Sequence, residues 1–336
     1  MPINMGKIWG IMVYLSHNMW RKKDTKLDFE DEAWEEILKI SAEAGMNTIL
    51  LDVGDGVQFG SHPELAVEGS WTRQRVHSEV KKAKAMGLDI VPKLNFSATH
   101  DFWLGEYARM ISTKYYYNVC RDLIREVYEL FDHPKYIHLG LDEENLDVMK
   151  GMELAVCRGG DLIWHDVQFL LDCVRETGAT PWIWSDYLFD HPEKFREKIG
   201  TEELLLSPWY YDALREEHYT LIAARQSTVE YYNQPRFRHL NLTYVEEDPF
   251  AVNFRKQALP AAKDGFQFVP CCSTWSKCKY NTPELVEYFR DGAPDESILG
   301  FLTAPWKRTK LDKMENFRES IRLLAEARKK FYPEEV

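Results

Sequence analysis

The strongest constraint in this sequence is a period. Eight short apolar, β-rich runs recur along the chain: Trp9–Leu15, Thr48–Val53, Asp89–Asn95, Tyr136–Leu141, Pro181–Ser185, Leu204–Pro208, Phe266–Cys271 and Ile298–Ala304. Longer amphipathic runs fall among them, at Phe29–Ala44, Thr72–Met86, Lys114–Phe131, Leu162–Thr177, Pro249–Ala262, Pro283–Arg290 and Lys313–Lys330. In the first of these, Trp34, Ile37, Leu38 and Ile40 make the apolar stripe of a helix packed on one side. Gly45, Gly87, Gly178 and Gly265 each follow a helical run and precede a strand, where a left-handed cap favours glycine. Alternating strands and helices build a parallel sheet with right-handed crossovers. Eight units suit a closed barrel better than an open doubly wound sheet, and no G-x-G-x-x-G follows the first strand. The expectation is an α/β chain, a single (β/α)8 TIM barrel over residues 1–336. The stretch from about 210 to 248 is too long for one crossover and reads as an insertion after strand six.

Composition narrows the partners. The formal net charge of −12 argues against nucleic acid or an anionic membrane, since both call for a basic face. No apolar run approaches the roughly 20 residues that span a bilayer. The first twenty residues lack the apolar core and small-residue cleavage site of a signal peptide. The chain is therefore expected in the cytoplasm, or exported with a leader absent from it. Six cysteines form no C-x-x-C pair and read as buried small hydrophobes; zinc on Cys271, Cys272 and Cys278 is disfavoured. The aromatic content, with 11 Trp, 17 Tyr and 17 Phe, exceeds what a core alone calls for.

Barrel active sites lie at the C-terminal ends of the strands. The strand ends here hold His17, Asp52, Asn95 through His100, Asp142-Glu143-Glu144, Trp184-Ser185-Asp186-Tyr187, Trp209-Tyr210, Trp275 and Trp306. Tryptophan faces stack on the apolar face of a sugar ring, and carboxylates take its hydroxyls, so this rim suits a carbohydrate. On strand four, alternation sends Ile137, Leu139 and Leu141 to the helix side and His138, Gly140 and Asp142 inward. Glu143 then lies where strand gives way to loop, and two adjacent acids in different surroundings can divide acid–base work. A plainer reading has the three acids open a helix and favour its dipole.

The run His138-Leu-Gly-Leu-Asp142-Glu143 resembles the H-x-G-G-D-E signature of family 20 glycoside hydrolases, the β-N-acetylhexosaminidases. Val91-Pro-Lys-Leu-Asn95 through His100 looks like that family's P-E-I-D-x-P-G-H segment, and Trp182-Ile-Trp-Ser-Asp186 and Leu299 through Trp306 look like its later Trp-bearing strands. The resemblance implies substrate-assisted, retaining cleavage of a terminal N-acetylhexosamine. Glu143 would be the general acid/base and Asp142 would orient the 2-acetamido group. A tyrosine, Tyr187 or Tyr210, would hold the acetamido carbonyl, and Trp184, Trp209, Trp275 and Trp306 would wall the sugar. It implies no cofactor and no metal. The chain departs from the pattern at Leu141 for the second glycine, at Lys93 and Asn95 for a Glu and an Asp, and at Ser97-Ala98-Thr99 for the residues before the histidine. The family's strand-one arginine is replaced by Ser16-His17-Asn18, with Arg21 beyond.

Three alternatives stay open on sequence. A two-carboxylate glycosidase would set Asp52 or Asp186 opposite Glu143. A carbohydrate-binding barrel would keep the aromatic rim and do no chemistry. A metal-dependent isomerase or lyase would gather ligands from His17, His100, His138, Asp52, Asp142 and Asp186. Tyr231-Tyr232, within the insertion, suits a lid or a contact in a homo-oligomer.

Overall fold

The computed structural model describes residues 6–20, 24–215, 218 and 249–336. Its strands are β1 (Ile8–Tyr14), β2 (Thr48–Asp52), β3 (Asp89–Lys93), β4 (Tyr136–His138), β5 (Thr180–Trp184), β6 (Leu205–Ser207), β7 (Gln267–Phe268), β8 (Cys271–Cys272) and β9 (Gly300–Thr303). They pair in parallel in the order β7-β6-β5-β4-β3-β2-β1-β9-β8. β7 and β8 are halves of one barrel strand, parted at Pro270, which has no N–H to give to a ladder. Both edges of that strand are used. Val269 and Cys271 donate N–H to the carbonyls of Leu206 and Pro208, while Leu299, Leu302 and Ala304 donate to those of Phe268, Pro270 and Cys272. The sheet thus closes into the expected (β/α)8 barrel.

The outer helices are α1 (Asp31–Glu43), α2 (Arg73–Ala85), α3 (Lys114–Leu130), α4 (Leu146–Met149), α5 (Asp161–Arg175), α6 (Asp186–Asp190), α7 (Pro192–Lys198), α8 (Pro249–Lys263), α9 (Asn281–Gly292) and α10 (Met314–Phe331). Thr72 and Thr113 cap α2 and α3 through side-chain oxygens that accept the N–H of Arg75 and Tyr116. The stripe read from α1 is real, with Trp34, Ile37 and Leu38 fully buried. The apolar side chains form two layers. Ile11, Val13, Ile49, Leu51, Ile137, Leu139, Leu141 and Ile183 pack outward against the helices. Met12, Tyr14, Leu50, Val91, Trp182, Trp184, Leu205 and Leu302 fill the barrel. Period-two alternation therefore decides which residues reach the mouth.

The short helices α4, α6 and α7 carry no readable stripe and escape sequence periodicity. All six cysteines are free, and Cys157 is exposed while the other five are buried. Among the described residues, no helix is long and apolar enough to cross a membrane. Of the insertion, only 210–215 and 218 are described; Tyr231 and Tyr232 lie outside, as does Arg21 beyond strand one.

Candidate functional site

The end of β4 is built from unusual backbone. Gly140, Leu141 and Glu143 all take left-handed φ, at 71°, 64° and 52°. Gly140 is obligatory: a Cβ there would lie 2.0 Å from Asn95 Oδ1. Leu141 stands where the resembled signature has a second glycine, and a left-handed leucine costs about 1–2 kcal/mol. Its side chain is fully buried in the helix-facing layer, which holds it there. The turn carries Asp142 over the barrel and leaves the Glu143 side chain 39% exposed.

Strand three supplies the clamp. The buried Asn95 donates from Nδ2 to Asp142 Oδ1 at 2.7 Å, and its Oδ1 accepts the N–H groups of Ser97 at 3.0 Å and Leu141 at 3.3 Å. The hydroxyls of Ser97 and Thr99 both donate to the Asp142 carbonyl, at 2.6 and 3.2 Å. The residues that replace the family's pattern here therefore form a polar bracket of their own. His100 is buried, with Nε2 3.3 Å from Glu143 Oε2 and 3.9 Å from Asp142 Oδ2. Burial alone would lower its pKa, but the two carboxylates outweigh burial and raise it.

Below this turn the acids are engaged otherwise. Asp52 and Lys93, neighbours in the β2–β3 ladder, form an ion pair with both side chains almost fully buried. Burial raises the Asp52 pKa despite the ammonium beside it. Asp186 accepts the backbone N–H of Glu143 at 2.9 Å and the Trp209 indole N–H at 2.8 Å. Burial first, and Asp142 second, push its carboxyl up to about 8 against those two hydrogen bonds. His138 is buried between the Trp182 and Trp184 rings, and its Nδ1 accepts the Gly140 N–H at 2.9 Å. Burial, then Lys93, hold it far below its ordinary pKa, so the ring is neutral and its proton sits on Nε2.

Above Asp142 and Glu143 opens a cavity of about 250 Å³. One wall is a chain of rings: Trp184 against Trp306 at 5.9 Å, Trp306 against Tyr211 at 6.2 Å, and Tyr211 against Trp209 at 5.0 Å. Tyr14, Met19, Trp20, Lys93 and Trp275 complete the lining.

Of the residues named from sequence, the cavity brings together Asn95, His100, Asp142, Glu143, Trp184, Trp209, Trp275 and Trp306. Asp52, His138 and Asp186 support it without lining it. His17 stands edge-on between Tyr14 and Trp20, also outside the lining. Tyr187 turns with α6 into the outer layer against Trp164, and Tyr210 stacks on Phe254 in that same layer. Neither of these two tyrosines reaches the cavity; Tyr211 does. The signal for it was the alternation itself: inward Leu205 and Ser207 put Trp209 and Tyr211 inward and Tyr210 outward. The same count along β1 and β3 points Tyr14 and Lys93 inward.

The third acid of the strand-four run has a separate task. The Glu144 side chain is only 3% exposed, accepts the Ala98 N–H at 3.0 Å, and is bound by Arg158 Nε at 2.8 Å. Arg158 also meets the buried Asp166 at 3.2 Å. This ion network ties residues 144–158 to α5 and to the His100 segment. Among the described residues, His100, Asp142 and Glu143 form one group whose ligand atoms lie within 4.8 Å of one another.

No family model matches the chain, and no curated protein matches it in sequence. Solved structures do match in fold. The family 20 β-N-acetylhexosaminidase from Streptomyces coelicolor aligns over 94% of this chain and 63% of its own, with TM-score 0.61 and 14% identity. The family 20 exo β-N-acetylglucosaminidase from Vibrio harveyi aligns over 96% and 54%, with TM-score 0.60 and 13% identity. The β-N-acetylhexosaminidase from Bacteroides fragilis aligns over 94% and 65%, with TM-score 0.57 and 12% identity. The chain thus spans a little over half to two thirds of the length of these structures. The likeness is one of fold: the barrel is similar to the family 20 barrels.

Proposed function

We propose that this protein is a glycoside hydrolase that removes a terminal β-linked N-acetylhexosamine by substrate-assisted, retaining catalysis. The observation that carries the reading is one strained turn presenting Asp142 and Glu143 side by side beneath a cavity walled by Trp184, Trp209, Tyr211 and Trp306. Glu143, half-exposed at the mouth, gives its proton to the leaving oxygen. The C1–O bond breaks with its electron pair going to that oxygen, while the acetamido carbonyl oxygen of the substrate attacks C1 from the opposite face. Asp142, held at Oδ1 by Asn95, keeps Oδ2 for the acetamido N–H and stabilises the positive charge that develops on the cyclised group. Tyr211, in the aromatic wall of the cavity, takes the acetamido oxygen in this reading. Glu143 then takes a proton from water as it attacks C1, the C1–O bond to the acetamido oxygen breaks with its electron pair returning to the acetamido group, and the configuration is retained.

The positions of the other acids support a substrate nucleophile over a protein one. Asp52 is bound to Lys93, and Asp186 takes two N–H groups beneath the turn; neither lines the cavity. The test is a panel of aryl glycosides led by the β-N-acetylglucosaminide and β-N-acetylgalactosaminide, with Glu143→Gln beside the parent. The expected result is turnover of N-acetyl sugars that falls by roughly 10²–10⁴ in the variant, the range for a general acid. Turnover confined to sugars without the acetamido group would move the assignment to a two-carboxylate mechanism. Binding without any turnover would make the barrel a carbohydrate receptor.

A further inference from the structure

Lys93 is the unusual side chain of this cavity. It stands where the resembled strand-three segment has a glutamate, and it is 1% exposed yet lines the cavity floor. An ammonium has three N–H donors. Among the described residues Lys93 Nζ has one hydrogen-bond acceptor, Asp52. A buried cation with donors to spare is costly unless an acceptor arrives. Lys93 lines the cavity while Asp52 takes one of its donors, so an acceptor bound in the cavity can reach the ammonium.

Resting on the glycosidase reading above, we infer that Lys93, fixed by Asp52, is a specificity-determining ligand that donates to one non-reacting hydroxyl of the bound pyranose. The charge balance selects the sugar class. Lys93 is already paired with Asp52, and the cavity already holds the carboxyl groups of Asp142 and Glu143. A uronic acid or sulfated sugar would add a further negative charge beside Asp142 and Glu143. A neutral pyranose supplies the missing acceptor and leaves that balance alone. In this barrel a strand-three ammonium thus grips a ring hydroxyl.

The test is equilibrium binding, read by quenching of the cavity tryptophans, so it needs no turnover. The probes are N-acetylglucosamine and its 3-, 4- and 6-deoxy forms, applied to the parent and to Lys93→Met/Asp52→Asn. Replacing both partners avoids stranding a buried carboxylate. One deoxy sugar should bind the parent about ten- to a hundred-fold more weakly than N-acetylglucosamine, the range for a hydrogen bond to a charged group. In the double variant the same deletion should cost less than about threefold. Lys93→Arg, which keeps the charge, should retain part of the discrimination. Equal losses in parent and variant on every deoxy sugar would overturn the inference while leaving the glycosidase reading standing. No saturable quench with any of these sugars would also overturn it. Discrimination by a parent that hydrolyses nothing would support Lys93 as a sugar ligand and reject the catalytic reading alone.

Discussion

Two strand ends of this barrel carry acids and put them to different use. β2 runs straight to Asp52, still in ladder register with Lys93 on β3, so the acid stays inside and is spent on an ion pair. β4 leaves its ladder at Gly140 and passes through left-handed φ at Gly140, Leu141 and Glu143, so Asp142 and Glu143 are lifted to the mouth. The same residue type becomes a core counter-ion in one place and a candidate catalytic group in the other. Backbone strain, more than side-chain chemistry, makes the difference.

The comparison can be broken by exchanging the effects. Glu143→Gln should cost two to four decades of activity while leaving urea stability within about 0.5 kcal/mol, as for an exposed position. Asp52→Asn should do the reverse to stability. It strands the Lys93 ammonium in the barrel and should cost about 3–5 kcal/mol, seen as a lower urea midpoint. If both variants lost stability alike, the division between a strained, solvent-facing turn and a buried pair would be wrong.

Gly140→Ala attacks the turn directly. The new Cβ cannot share space with Asn95 Oδ1, and Asn95 is what fixes Asp142. We expect a loss of about 2–4 kcal/mol from left-handed strain and broken Asn95 hydrogen bonds. Activity should fall more than stability alone explains. An alanine variant with parental melting and parental rate would show the turn to be tolerant.

A pH-dependent effect concerns Asp186, which underpins the turn. In an unfolded chain its carboxyl loses its proton near 3.8, and in the fold near 8. Between those values the folded state holds the extra proton, so this group makes stability fall as pH rises, by at most about 1.4 kcal/mol per pH unit. Asp101, raised to about 7 mainly by burial, acts in the same sense. Asp186→Asn should flatten the slope of urea stability up to about pH 8, and above pH 7 should remove most of it. A parent whose stability does not change over that range would refute the assignment.

Much of this was legible in the sequence, and the limits have physical causes. Eight strands and the main helices follow from period, because alternation and helical stripes are properties of the chain itself. The Asp142-Glu143 pair could be found because β4 is short and its neighbours alternate cleanly. The choice between Tyr210 and Tyr211 needed the strand count carried past Pro208, where the chain no longer looks like a strand. Tyr187 was lost to a helix of five residues, too short to announce itself. The Lys93–Asp52 pair depends on register between two strands far apart in sequence, which no local pattern encodes. The role of Glu144 depends on Arg158, and that contact is likewise made only by the fold.

The central claim is that the nucleophile belongs to the substrate. It is tested most directly with aryl β-glucosaminides whose N-acyl group carries none, one, two or three fluorines. Each fluorine withdraws electrons from the carbonyl oxygen that must attack C1. The account predicts that kcat/KM falls stepwise along the series. A rate indifferent to the acyl group, or one that rises with fluorination, would place the nucleophile on the protein and contradict it.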